Sequence, residues 1–368
     1  MGCVPGTGDF PRKPYLAAQK EKGRRLLGVF PAQYPGEILW AMNILPVEIW
    51  DPPVQTGSAG AHLQPAVCSV VKLGLELILN GSCDLLDGFL FPHTCDSIQN
   101  LASVVTDYLG VNKPAAFFYH PKAPYWNAAQ AYYRECLKGL VAKLEGGFGP
   151  LDPAELRHRV AQGRDINRGL SRLYGLRAEH RLGLTNREFY DFVRLREFLH
   201  PDDFLPLLDD ILSRREKAPE SRPSVILSGV LPNPKDILTL LDQAGVNIAD
   251  DDLLACARRI PTAPSDNADP WEALAESYFN LPPCSTRSSP LADRLEYLAG
   301  KVKKSGASGV IFYTAKFCEP ELFDVPALVE GLRTRGIPSL VVDVEVNAGL
   351  SGQTTTRVEA FFEVLDGL

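Results

Sequence analysis

Residues 88–97 have the sequence GFLFPHTCDS. The apolar run of 88–92 has no polar alternation, which is typical of a strand buried on both faces of a parallel sheet. The run leads to Cys95, and Asp96 begins a predicted helix that continues to about Leu109. In open α/β sheets, ligands bind at the carboxyl ends of the strands. Cys95 is therefore a candidate functional residue.

Two more cysteines occupy the same kind of position. Cys318 follows the predicted strand 309–314, and Cys68 lies at the start of the helix that precedes strand 88–92. Free N–H groups and partial positive charge at a helix N-terminus stabilise a thiolate, which is the form that binds metals. We expect the three thiols to meet between the two halves of the chain.

The spacing of these cysteines indicates which metal they would bind. Thiolates select soft metals, above all iron–sulfur clusters and zinc. Cys68 and Cys318 lie far apart in the sequence, whereas structural zinc sites use closely spaced ligands. We interpret the three cysteines as the ligands of an iron–sulfur cluster between two lobes, with one iron left without a protein ligand.

The order of predicted elements defines the fold class. Strands alternate with helices from Leu26 to Tyr119 and again from Ser224 to Val344, whereas the segment between them is helical. This order predicts an α/β fold with two Rossmann- or flavodoxin-like lobes, each with a parallel sheet. The predicted domains are an N-terminal lobe with two cluster cysteines (residues 1–124), a helical segment (125–220) and a C-terminal lobe with the third cluster cysteine (221–368).

Several local features follow from turn and capping residues. Pro65 is expected in the first turn of the helix that ends near Asn80, because proline has no N–H to leave unpaired there. Asp152 and Thr185 are predicted to begin helices of the middle segment. An edge strand is expected near Val246, followed by an irregular acidic stretch at 250–252.

Composition excludes several classes of protein. The 368 residues are 45% apolar and 23% charged, as in globular proteins with more than one core. The net charge is -7 and basic residues form no cluster, which argues against nucleic acid and anionic membranes as partners. The N-terminal stretch 1–25 has no apolar signal core, and apolar runs are shorter than about 18 residues. We therefore expect a cytoplasmic protein.

The remaining chemistry-bearing residues leave alternatives open. Cys83 in a turn and Cys284 in a loop are each possible fourth ligands, whereas Cys136 and Cys256 are expected to be packing residues on helices. His93 is the candidate catalytic residue, because beside Cys95 it could donate a hydrogen bond to a sulfide or relay a proton. A packing role for the ring is an equal alternative.

The sequence has no Gly-x-Gly-x-x-Gly loop after a strand, no Walker loop and no Gly-x-Ser-x-Gly elbow. These motifs bind dinucleotides, bind nucleoside triphosphates and present a serine nucleophile, respectively. If the reaction needs electrons driven by ATP hydrolysis, a separate protein must supply them.

The sequences around the three cysteines, taken together with other segments of both halves, resemble the 2-hydroxyacyl-CoA dehydratase and benzoyl-CoA reductase family. The similarity rests on residues 30–47, 67–69 and 86–97 in the first half and on 309–320, 336–338 and 352–361 in the second. The resemblance implies one [4Fe-4S] cluster per subunit, bound by Cys68, Cys95 and Cys318. It also implies a homologous second subunit or self-association, an ATP-hydrolysing iron–sulfur activator, and a CoA-thioester substrate bound between the lobes.

The resemblance implies two reactions. The dehydratase branch uses one electron to form a ketyl radical of the substrate, which loses a β-proton and the α-hydroxyl before the electron is recovered. The reductase branch adds two electrons and two protons to an aromatic ring. The sequence around Cys95 favours a benzoyl-CoA reductase-like role, with the 2-hydroxyacyl-CoA dehydratase as the alternative.

Other functions remain as alternatives. A double-cubane ATP-dependent reductase would need further cysteines, for which Cys83 and Cys284 are available. A non-catalytic electron-carrier or scaffold subunit would leave catalysis to its homologous partner. A two-lobed metabolite-binding protein, with cysteines that only fill the core, would contain no iron.

Overall fold

The computed structural model describes residues 10–50, 57–214, 216–218 and 222–366. Cys3, part of the N-terminal stretch 1–25 and part of the loop at 51–60 therefore lie outside the described residues. Within them, no helix is both long and apolar enough to span a membrane.

The described strands form two parallel sheets with the same topology. The first contains β1 (Arg25–Val29), β2 (Ile44–Glu48), β3 (Gly88–Pro92) and β4 (Ala115–Phe118), in the order β2-β1-β3-β4. The second contains β5 (Ser224–Gly229), β6 (Asn247–Leu253), β7 (Gly309–Ala315) and β8 (Ser339–Val344), in the order β6-β5-β7-β8. Both match the first four strands of the flavodoxin-like order, which confirms the predicted α/β fold with two such lobes.

Helices cover the sheets and fill the segment between them. The first lobe contains α1 (Arg12–Glu21), α2 (Gly36–Ala41), α3 (Ser69–Leu79) and α4 (Asp96–Ser103), which a π-helical turn (Val104–Tyr108) extends. The middle segment contains α5 (Ala129–Phe148), α6 (Pro153–Ala178), α7 (Asn186–Val193) with a 3₁₀ turn (Arg194–Glu197), and α8 (Pro201–Arg214). The second lobe contains α9 (Asp236–Gln243), α10 (Pro270–Phe279), α11 (Leu291–Ser305), α12 (Glu319–Arg333) and α13 (Gly352–Asp366), with short 3₁₀ turns at Ala257–Arg259 and Ser285–Arg287.

The middle helices are part of the core. Leu170 and Phe189 are fully buried in the same apolar cluster as Leu26 of the first sheet and Leu227 of the second. The predicted starts of two helices are confirmed: the side chain of Asp152 accepts a hydrogen bond from the backbone of α6, and Thr185 forms a capping box at α7. The boundaries of the three domains remain a prediction.

Three local predictions were wrong. Helix α3 begins at Ser69, so Pro65 lies outside it. The acidic stretch at 250–252 is not an irregular loop but the buried middle of β6. Cys256 follows that strand and is not on a regular helix.

Candidate functional site

The three predicted cysteines occupy equivalent positions at helix starts. Cys68, Cys95 and Cys318 are the N-cap residues of α3, α4 and α12. Cys95 follows β3 and Cys318 follows β7 within three residues, so both lie beyond the carboxyl ends of strands. This edge is where ligands bind in open α/β sheets.

Contacts between the lobes bring the start of α3 to the turn that contains Cys318. The Oγ of Ser69 accepts a hydrogen bond of 3.2 Å from the backbone N–H of Val346, which follows β8. One helical turn further, the Nζ of Lys72 lies 5.5 Å from the centroid of the Phe317 ring. Because Ser69 follows Cys68 and Phe317 precedes Cys318, these contacts hold cysteines of both lobes on one side of the cleft.

The backbone before Cys318 is strained. Phe317 has a φ of 60°, in the left-handed region that bulky residues rarely adopt. This conformation costs roughly 1–2 kcal/mol for a residue with a β-carbon. Its ring is 42% exposed, so core packing does not account for it. The strained turn directs the chain from β7 into α12 and presents Cys318 at the helix start.

The three thiols influence one another electrostatically. Burial, and to a smaller extent the charge of Cys95, raises the pKa of Cys68 to about 12. The pKa of Cys318 lies well above its usual value, first because of burial and then because of Cys68. Backbone N–H groups lower the pKa of Cys68 and Cys95, as expected at helix N-termini, but burial has the larger effect.

The three thiols do not form a ready site for a single metal ion. Among the described residues, no group of three or more His, Cys, Asp or Glu side chains could hold one ion. The donor set is two buried thiols and one half-buried thiol, all at helix starts. Thiolates of this kind are the ligands of iron–sulfur clusters, and a bound cluster would deprotonate them.

Cys95 has a cationic neighbour that the sequence analysis missed. The Nζ of Lys122 donates a hydrogen bond of 3.3 Å to the carbonyl of Thr94, and its charge lowers the pKa of Cys95. Lys122 is half-buried and follows β4, which pairs with β3. Its place just beyond a predicted strand was the signal that could have identified it.

His93 lies at the same edge of the sheet. Its ring is 5.2 Å from the ring of Tyr119 and 5.8 Å from that of Phe117. Burial lowers the pKa of His93, and the charge of Lys122 lowers it further. These contacts describe a half-buried ring beside Cys95, and a catalytic role for His93 remains a prediction.

A buried ion network fixes the first turn of α12. Glu321 accepts hydrogen bonds from Arg258 and from the hydroxyl of Ser285, the latter at 2.6 Å. Arg258 also forms a bidentate pair with Asp252 of β6, at 2.6 and 2.8 Å. Since Glu321 lies three residues after Cys318, this network positions the start of the helix. Arg258 was missed because Glu321, the partner that links it to α12, is 63 residues away in the sequence.

The other candidate ligands have different surroundings. Cys284 is fully buried, and its Sγ lies 3.0 Å from the hydroxyl of Thr286 and 3.8 Å from Arg258. The cations Arg258 and Arg287 lower the pKa of Cys284 despite its burial. Cys83 lies beyond the C-terminal end of α3, whose 11 residues separate it from Cys68 by about 16 Å along the axis.

The fold and the site define a class: a two-lobed parallel α/β protein with candidate metal-binding thiols from both lobes. The family model described as "2-hydroxyglutaryl-CoA dehydratase, D-component" matches residues 31–365. The chain therefore belongs to this family of enzymes, and the resemblance inferred from the motifs is confirmed.

Named relatives include both branches of the family. The (R)-phenyllactyl-CoA dehydratase beta subunit of Clostridium sporogenes is 25% identical over 368 residues, which cover 97% of this chain and 96% of the relative. The lactoyl-CoA dehydratase subunit beta of Anaerotignum propionicum is 24% identical, with 96% of each chain covered. One of the benzoyl-CoA reductase subunits of Thauera aromatica is 24% identical, over 90% of this chain and 88% of the relative.

Proposed function

We propose that this chain is a subunit of an enzyme complex that converts CoA thioesters, and that it binds a [4Fe-4S] cluster through Cys68, Cys95 and Cys318. The observation that supports this most strongly is the position of three cysteines at helix starts of two lobes. The lobes contact each other at Ser69 and Phe317, next to two of these cysteines.

The donor set fits this cofactor. Three thiolates leave one of the four irons without a protein ligand. When bound, the cluster supplies electrons of low potential. The burial of Cys68 and Cys318 keeps water away from the site, and Lys122 compensates part of the negative charge beside Cys95.

The proposed partners follow from what the chain does not contain. The sequence has no nucleotide-binding loop, so a separate ATP-hydrolysing iron–sulfur activator is proposed as the electron source. The dehydratase relatives are named as beta subunits, which supports a homologous second subunit as the partner. The complex is proposed to act in the cytoplasm.

Dehydration of a 2-hydroxyacyl-CoA is the reaction proposed first. The family description and two of the relatives above are named for such dehydratases. Aromatic ring reduction, as in benzoyl-CoA reductase, is the second candidate, because the reductase relative is similar to a comparable degree. The sequence around Cys95 favoured the reductase, whereas the comparisons support the dehydratase as well as the reductase.

Iron and acid-labile sulfide in anaerobically purified protein test the cluster. We expect about four irons per chain, and substantial loss of iron in Cys68→Ser, Cys95→Ser and Cys318→Ser. Cys136→Ser is the matched control, because Cys136 is a half-buried cysteine of α5, distant from the helix starts. Full iron content in one of the three variants would remove that residue from the ligand set, and about eight irons would favour a double-cubane reductase.

The two reactions differ in electron stoichiometry. The reconstituted complex, with activator, ATP and reductant, is assayed with 2-hydroxyacyl-CoAs and with benzoyl-CoA. Dehydration is redox-neutral, so catalytic reductant suffices, whereas ring reduction consumes two electrons per product. Unchanged turnover with a Cys318→Ala variant of this chain would show that catalysis does not reside in this subunit.

A further inference from the structure

A second site lies apart from the cysteines. A cavity of about 110 Å³ is present where the two lobes and the middle helices meet. Its wall includes the turn after β1, the first turn of α2, and residues of α6 and α10. None of Cys68, Cys95 and Cys318 lines this cavity.

Three side chains of the cavity wall have buried polar atoms without a partner. Among the described residues, Trp40 Nε1, Asn167 Oδ1 and Arg196 Nη1 have no hydrogen-bond partner. Asn167 is only 8% exposed. Each unpaired buried polar atom costs about 1–3 kcal/mol, and nearly all such atoms in folded proteins are paired. Three of them around one cavity indicate a polar ligand.

The charges around the cavity indicate the sign of that ligand. Arg259 forms a bidentate ion pair with Glu48. Glu48 also accepts hydrogen bonds from Trp50 Nε1 at 2.9 Å and from the Tyr34 hydroxyl at 3.2 Å. Arg259, Trp50 and Tyr34 thus occupy the oxygens with which Glu48 accepts hydrogen bonds. Arg196 forms no ion pair with the described residues. A guanidinium that lies beside a cavity and forms no ion pair of its own favours an anion, although the charges of Glu37 and Glu48 act on Arg196 at longer range.

Glu37 does not provide a compensating partner. It lines the same cavity, but no ion pair joins it to Arg196 among the described residues. Burial raises the pKa of Glu37, and the charge of Arg196 offsets this only in part. A protonated Glu37 carboxyl would be a further hydrogen-bond donor to an anion.

We propose that this cavity binds a small carboxylate, to which Arg196 and Trp40 donate hydrogen bonds. The planar guanidinium of arginine matches a carboxylate in geometry as well as in charge. A cavity of roughly 150 Å³ accommodates benzene, so a smaller cavity fits a ligand such as acetate or propionate. The proposal goes beyond the proposed function, because it requires neither the cluster nor a CoA thioester.

Equilibrium dialysis of the full chain, purified anaerobically, tests the proposal with radiolabelled propionate at constant ionic strength. We expect one propionate per chain. Unlabelled acetate should compete, whereas propionamide, which lacks the charge, should not. Absence of propionate binding, or equal competition by propionamide or inorganic phosphate, would overturn the proposal.

Two variants assign the binding to this cavity. Arg196→Met should weaken propionate binding at least tenfold, and Trp40→Phe, which removes the N–H but keeps an aromatic ring, should weaken it several-fold. Arg168→Met is the control, because Arg168 is half-exposed on α6 and pairs with Asp266 at 2.6 Å. If both single variants, Trp40→Phe and Arg196→Met, bind propionate as tightly as the wild type, the assignment to this cavity is wrong.

A stability measurement distinguishes a ligand-binding role from a structural one. Without propionate, Arg196→Met should raise Tm, because it removes a half-buried charge that forms no ion pair. A lower Tm with unchanged propionate binding would give Arg196 a purely structural role and overturn the proposal. If Arg196→Met does not fold, Trp40→Phe alone decides. Iron content is measured in every sample and should not change, so failure of this proposal is distinguishable from failure of the cluster assignment.

Discussion

Replacement of Glu321 by glutamine removes one negative charge from the buried ion network of α12. Glu321 and Asp252 face Arg258 and Arg294, and all four side chains are at most 1% exposed. Asp324, which is 26% exposed, pairs with Arg294 at 2.6 Å. After Glu321→Gln, two buried guanidinium groups share one buried carboxylate.

The expected loss of stability is large. Removal of one partner from a buried ion pair costs about 3–5 kcal/mol, because the remaining charge is left uncompensated in a low dielectric. For a chain of this length the entropy of unfolding is about 0.8 kcal/mol/K, so this loss lowers Tm by about 4–6 °C. Since Glu321 lies in the first turn after Cys318, iron retention should decrease as well.

Thermal unfolding under anaerobic conditions measures the effect, and α12 offers a matched control. Glu330 forms an ion pair of 2.7 Å with Arg333, but both side chains are at least 60% exposed. Glu330→Gln should leave Tm unchanged, because exposed pairs contribute little. Equal shifts in the two variants would refute the argument from burial.

The pH dependence provides a second check. Arg258 and Arg294 hold the pKa of Glu321 far below its ordinary value despite burial. A carboxyl whose pKa is depressed on folding contributes stability above its unfolded pKa, about 4.3, and this contribution is lost as the pH falls below it. The difference in stability between wild type and Glu321→Gln should be full at pH 7 and decrease below about pH 4.

Two further predictions concern the two lobes. Gly74→Ala should destabilise the protein by about 1–3 kcal/mol in urea unfolding, because the new β-carbon would lie 2.4 Å from the buried ring of Phe30. Gly139→Ala is the control, because the space around Gly139 is open and this substitution should stabilise α5. A change in stability of the same sign in both variants would contradict this reasoning. Burial raises the pKa of Asp251 to about 6, so ionisation opposes folding and wild-type stability should rise as the pH falls from about 6 to 4. Burial also raises the pKa of Glu197, to about 7, so Asp251→Asn should reduce this rise, and an unchanged rise would exclude Asp251 as a cause.

The parallel sheets were predictable because their strands are apolar throughout. The strand at 88–92 has the predicted bounds, since buried runs and turn residues are local signals. The placement of Cys68, Cys95 and Cys318 at helix starts followed from the same pattern.

Features that depend on distant partners could not be predicted. Three consecutive aspartates argue against a prediction of a buried strand unless their partners are known. In β6, Lys301 pairs with Asp250 at 2.7 Å, and the hydroxyls of Tyr174 and Tyr190 donate hydrogen bonds to Asp251 at 2.7 and 3.0 Å. These partners are at least 51 residues away in the sequence. The same limit applies to the cavity at Arg196, whose wall is assembled from all three segments of the chain.

The cysteines at the helix starts belong to two lobes, and Cys95 and Cys318 are more than 200 residues apart. A cofactor bonded to both would act as an internal crosslink, which for so long a loop restricts the unfolded chain by on the order of 5 kcal/mol. Oxidative loss of that cofactor would therefore weaken the association of the two lobes as well as end electron transfer. An increase in the radius of gyration on exposure to air would report the weakened association.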